Sequence, residues 1–134
     1  MYNGRFSTSA LLHWLRGRAL SFVYAGRGFA LLCLAQPNFR IHLVASFCAI
    51  ALGWFFAIST IEWLVLVLTI TVVLTTEGLN TVLERVIDLS QPGRHPIARD
   101  AKDLAAAAVL LASTGALIVG VMLFGPRLVR LLVG

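Results

Sequence analysis

The sequence predicts an all-α integral membrane protein, a single domain over 1–134 with three transmembrane helices behind an amino-terminal amphipathic surface helix. Of its residues 59% are apolar and only 13% charged, against about a quarter charged in soluble domains, so the chain has too little polar surface to face water all round. Three segments are long and nearly free of charge, each able to cross a hydrocarbon core of ~30 Å. The Lys and Arg residues gather between those segments in unequal blocks.

The surface helix is expected over about 10–35. Leu11, Leu12, Leu15, Ala19, Phe22, Val23, Gly26, Phe29 and Ala30 fall on one side of a 3.6-residue period, and Arg16, Ser21, Tyr24 and Arg27 on the other. A basic helix of this pattern lies in the membrane surface with its apolar side in the acyl boundary. The amino terminus has no clean apolar run followed by a small-residue cleavage site, so it does not read as a cleaved secretion signal.

The first span is expected over about 39–60, where Leu43 to Ile61 carries no charge. Ser59, Thr60 and Glu62 make a tight connection to a second span over about 62–89, opened by Trp63. The stretch SQPGRHP is a turn, and Pro96 suits the first position of the helix that enters a third span over about 97–124, ending at Gly125-Pro126. Ala98, Ala101, Ala105, Ala108 and Ala112 recur at spacings of three and four, which lets helices pack closely in lipid. Cys33 and Cys48 have no metal-ligand spacing and read as packing residues.

A formal charge of +5 in a soluble chain would point to nucleic acid; here the basic residues report orientation instead. Arg5, Arg16, Arg18, Arg27 and Arg40 precede the first span, none lies in the 59–62 turn, and Arg85, Arg94, Arg99 and Lys102 surround the second loop. The amino terminus and that loop are therefore expected in the cytoplasm, with Arg127 and Arg130 a minority on the far side.

The second span carries the chemistry. Glu77, Asn80, Glu84 and Asp88 project from one edge of a helix turning 100° per residue, within a stripe roughly 80° wide. Spending about 20 residues from Trp63 on the hydrocarbon puts the inner boundary near Val82, so Glu77 lies inside the apolar zone, Glu84 at the interface and Asp88 in the cytoplasm. An ionisable group at that depth costs on the order of 3 kcal/mol and marks a functional position. A lipid hydroxyl can reach Glu77 from the bilayer, where a carboxylate can accept its proton, while a water-soluble, charged co-substrate reaches only Glu84 and Asp88. Carboxylates on the cytoplasmic side suit Mg²⁺, which takes oxygen ligands and bridges phosphates. His95, Arg99 and Lys102 cluster at the same mouth, where cations and free helix amides hold phosphate or simply anchor the chain at the membrane surface. Asp103 is placed to pair with Arg99. No G-x-x-x-x-G-K-[ST] loop occurs.

The stretch E-G-L-N-T-V-L-E-R-V-I-D from Glu77, followed by H-P-I-A-R-D-A-K-D-L-A-A-A-A-V-L-L from His95, resembles the prokaryotic diacylglycerol kinase and undecaprenol kinase family. S-F-V-Y-A-G-R-G from Ser21 and N-F-R-I-H from Asn38 extend the resemblance, which covers roughly Arg18 to Leu111. It implies an ATP-dependent lipid kinase, a homotrimer in the bacterial inner membrane with composite sites at its cytoplasmic interface. By the same resemblance Glu77 is the general base and acceptor contact, with Arg40 of N-F-R-I-H also at the lipid substrate. Glu84 would bind Mg²⁺, and Asn80, Glu84, Asp88, Gly93, Arg94, His95, Lys102, Asp103, Tyr24 and Arg18 would hold ATP. Gln36 stands where many members carry a second metal-binding glutamate, and a carboxamide oxygen is the weaker ligand.

The H-P-I-A and N-F-R-I-H stretches look more like the undecaprenol kinase branch, with diacylglycerol as the alternative acceptor. A rival of another class is a non-enzymatic membrane protein whose Glu77, Glu84 and Asp88 line an ion or proton pathway.

Overall fold

A computed structural model describes the backbone from Thr8 to Gly134 and side chains from Leu12 onward; Arg5, counted above among the basic residues, and the side chain of Leu11 lie outside the described residues. The described chain is helical: α1 Thr8–Ala35, α2 Pro37–Phe55, α3 Thr60–Ser90 and α4 Pro96–Val133. All four are long and apolar enough to cross a membrane. The chain divides into two compact units, α1 and Gln36–Gly134.

In α1 the guanidinium of Arg18 lies over the Trp14 ring at 5.2 Å, and that of Arg27 over Tyr24 at 6.0 Å. Its two-sidedness is incomplete, because Leu20, Leu31 and Leu34 fall on the same helical side as Arg16 and Arg27. This is why Leu12–Ala35 also qualifies as a candidate span.

In the second unit α3 lies between α2 and α4 and packs against both. Gln36 precedes α2 in an extended conformation and Pro37 takes the first turn, where its missing N–H costs nothing. The α2 helix ends at Phe55, short of the expected 60, because the backbone turns there: Ala57 N–H bonds to Trp54 C=O at 3.2 Å and Ile58 N–H to Gly53 C=O at 3.2 Å. With Ala57 at φ 47°, this is a Schellman ending, and Ile58 drops into the core beside Leu66 and Phe124. Thr60 and Glu62, expected in the connection, already belong to α3. Ser59 caps it: the Glu62 N–H donates to Ser59 Oγ at 3.4 Å, and the Ser59 N–H to Glu62 Oε2 at 2.8 Å.

The fourth helix does not stop at Pro126 but runs on to Val133. Proline removes the bond to the carbonyl four residues back, that of Met122. The neighbouring Leu123 carbonyl accepts from Arg127 Nη1 at 2.5 Å, and Nη2 reaches both carboxylate oxygens of Glu62 at 2.9 Å. At the opposite end of the α3–α4 pair Lys102 Nζ meets Asp88 Oδ1 at 2.5 Å. The two ion pairs bracket about 39 Å of α3, the hydrocarbon core plus part of its polar borders. Between them the outward side chains, such as Leu68, Leu111 and Met122, are apolar and exposed, the surface that lipid solvates.

Candidate active site at the polar end of the third helix

The buried edge of α3 changes character along its length. From the outer end it presents Leu66 and Val73, then Glu77, Asn80 and Thr81. The apolar half is core; the polar half has no apolar reason to be buried, since an unpaired polar group in hydrocarbon costs several kcal/mol. Glu77 is 2% exposed and Asn80 8%.

Asn80 Nδ2 donates to Glu84 Oε1 at 3.3 Å, tying the carboxamide to the next carboxylate down the helix. Its oxygen, Oδ1, is buried with no partner. His42 on α2 and Glu84 are both within electrostatic range of Glu77. His42 also lines one end of a groove of about 580 Å³ between α2 and α4, floored by α3 residues such as Thr69 and Val73 and walled by Ser46, Ser113 and Phe124. Along α3 the groove's lining stops at Val73, one turn before Glu77.

Farther toward the loop the expected site residues are exposed or half-buried. Asp88 and Lys102 face each other in the ion pair already described, and Arg99 Nε lies 3.7 Å from Asp103 Oδ2 one turn along α4. Gly93, Arg94 and His95 form the exposed approach to α4, with His95 preceding Pro96 at the helix start. Arg40 is exposed on α2, and Gln36 is half-buried with no side-chain capping bond. Arg18 and Tyr24 belong to α1, which is described by itself.

Among the described residues no group of three His, Cys, Asp or Glu side chains is gathered to hold a metal. Mg²⁺ asks for less, one or two carboxylates beside waters and phosphates. Glu84 with the orphaned Asn80 Oδ1 offers such an all-oxygen pair, so these residues fit it. Two residues carry no sequence-based role: His42, which only the α2–α3 packing brings near Glu77, and Thr81, buried one turn from Glu77. The i+4 spacing of Thr81 from Glu77 was the one signal available for it.

The family model for prokaryotic diacylglycerol kinase matches residues 23–124. The undecaprenol kinase of Bacillus subtilis is 37% identical over 108 residues, covering 81% of this chain and 88% of the relative. The diacylglycerol kinase of Synechocystis is 42% identical over 115 residues, 85% of this chain and 66% of the relative, and that of Helicobacter pylori 33% over 89 residues, 66% of this chain and 69% of the relative. With a matching model across most of its length and a buried polar edge on an apolar helix, the chain belongs to the prokaryotic diacylglycerol kinase family of membrane lipid kinases.

Proposed function

We propose that this protein transfers the γ-phosphoryl group of ATP to the hydroxyl of a membrane lipid, with undecaprenol as the acceptor and diacylglycerol as the second candidate. The observation that carries the reading is the burial of Glu77 on the same helix edge as Asn80 and Glu84, in a helix otherwise apolar enough to cross a membrane. The acceptor oxygen attacks the γ-phosphorus while Glu77 takes up its proton, and the bond to the β,γ-bridging oxygen breaks to release ADP. Glu84 and Asn80 Oδ1, with Gln36 as a weaker third ligand, would hold Mg²⁺. When bound with ATP, the cation supplies charge screening along the phosphates. Lys102 neutralises charge building on the leaving group, and Asp88 holds the ammonium ready. Asp103, Gly93, Arg94 and His95 contact the nucleotide from the loop side; Tyr24 and Arg18 are nucleotide contacts by the family resemblance alone. Arg40 contacts the polar head of the acceptor.

The same reading makes α1 a surface helix and α2, α3 and α4 the three spans, in a homotrimer of the inner membrane with a cytoplasmic amino terminus. Arg16, Arg18 and Arg27 on α1, and four basic residues around the second loop, support that orientation. Undecaprenol is favoured because the relative of that name is matched over 88% of its length, more than either diacylglycerol kinase. Purified protein given labelled ATP with each lipid separately tests both statements. Label in undecaprenyl phosphate is expected; label only in phosphatidic acid reverses the acceptor, and label in neither rejects the kinase.

A further inference from the structure

Among the buried and half-buried serines and threonines of α2, α3 and α4, one hydroxyl departs from a common rule. Ser46 donates to the carbonyl four residues earlier at 2.7 Å, and Thr69, Thr76 and Ser113 do the same at 2.8 Å. This is the default in an apolar helix, because the backbone carbonyl is the only acceptor always within reach. Thr81, 3% exposed, makes no such bond to the Glu77 carbonyl. The residue before it, Asn80, supplies the unpaired buried Oδ1. Asn80 Oδ1 is the Mg²⁺ ligand of the proposed function; the polar groups here that are neither hydrogen-bonded nor sealed off are the Thr81 hydroxyl and, one turn away, the Glu77 carboxylate.

Their position says which ligand. Thr81 lies about 6 Å along the axis from Glu77 and ~40° around the helix from it, on the membrane side of Glu84. A phosphate is served by charge, and the cations of α3, the loop and α4 in this region, Arg85, Arg94, Arg99 and Lys102, all lie farther out toward the loop than Thr81. A neutral hydroxyl, able to donate and accept at once, matches a neutral alcohol brought to Glu77.

We propose that the Thr81 hydroxyl is a hydrogen-bonding contact of the acceptor alcohol, holding the alcohol oxygen against Glu77; this rests on the kinase reading above. With Thr81 as donor, the alcohol proton remains directed at the carboxylate and one oxygen lone pair remains for phosphorus. Sites that bond a substrate hydroxyl lose both affinity and orientation when that partner is removed.

The test compares the wild type with Thr81→Val, which keeps the shape and deletes the hydroxyl, and Thr81→Ser, which keeps the hydroxyl. Thr81→Val is expected to lose about tenfold in kcat/KM for the lipid acceptor, the worth of one hydrogen bond, at unchanged KM for ATP. Thr81→Ser should recover most of that loss. The melting temperature of Thr81→Val should be no lower than that of the wild type, since an unsatisfied hydroxyl has been removed; a lower one would assign Thr81 a structural role and overturn the proposal. Unchanged lipid kinetics, or a raised KM for ATP, would overturn it as well. Should the wild type phosphorylate neither undecaprenol nor diacylglycerol, the kinase reading fails on its own, and the rise in melting temperature caused by each lipid without ATP still decides the contact. An equal rise in wild type and Thr81→Val counts against it.

Discussion

A carboxylate kept at 2% exposure in a lipid-facing bundle gains nothing for stability, and among the described residues Glu77 takes part in no ion pair. Replacing it with glutamine keeps the volume and removes the proton acceptor. Glu77→Gln is expected to lower phosphate transfer by at least about a hundredfold, while the protein stays folded and its oligomer assembled, checked by labelled ATP and by size in detergent. Undiminished turnover would reject the assignment. A second residue-scale prediction concerns Ala57, whose φ of 47° puts a Cβ where the backbone favours glycine. Ala57→Gly should raise stability by about 0.5–1 kcal/mol, seen as a higher melting temperature with activity unchanged.

Between elements the close approaches are few and specific. At the α2–α3 corner a Cβ on Gly53 would lie 2.8 Å from Trp63 Cη2 and 3.2 Å from Ile58 Cδ1. The indole is rigid and already set edge-on against Trp54 at 5.6 Å, so it has little room to give. Gly53→Ala should cost about 1–3 kcal/mol, and a smaller residue at 63 should restore part of that loss. A double variant as unstable as the sum of its parts would show that the clash lies elsewhere. At the α3–α4 end away from Lys102, Glu62 serves two purposes, capping its own helix and receiving Arg127 from the other. Arg127→Met is expected to lower the melting temperature, and a double-mutant cycle with Glu62→Gln should show a favourable coupling between the two side chains.

For the whole molecule, the blocks of basic residues support the proposed direction in the bilayer. With Cys33 and Cys48 replaced by alanine, single cysteines at Ser59 and Gln91 report the two sides. Ser59→Cys should react with an impermeant thiol reagent in cells whose inner membrane is intact, and Gln91→Cys only after that membrane is opened. The opposite pattern would invert the orientation, and with it the cytoplasmic approach of ATP. The helices themselves were readable because apolar length is a one-dimensional property: α3 follows from the run that opens at Trp63 and meets no breaker before Leu89, and α4 from the charge-free run Leu104–Pro126. Their ends were less so, since the Schellman turn at Ala57 depends on backbone geometry and α4 runs on past Pro126 to Val133.

What the linear chain determines by itself is the membrane class, the order of helices and the alignment of Glu77, Asn80, Glu84 and Asp88 along one edge, because helical periodicity carries each of these from spacing alone. Tertiary packing alone decided that Glu77 and Asn80 on this edge are buried while Asp88 is exposed, that Asp88 meets Lys102, that His42 lies near Glu77, and that Asn80 Oδ1 is sealed in without a partner. Those are relations between residues on different helices, or between a side chain and the space around it. No spacing within one helix encodes them; they exist only once α2 and α4 close on the two sides of α3.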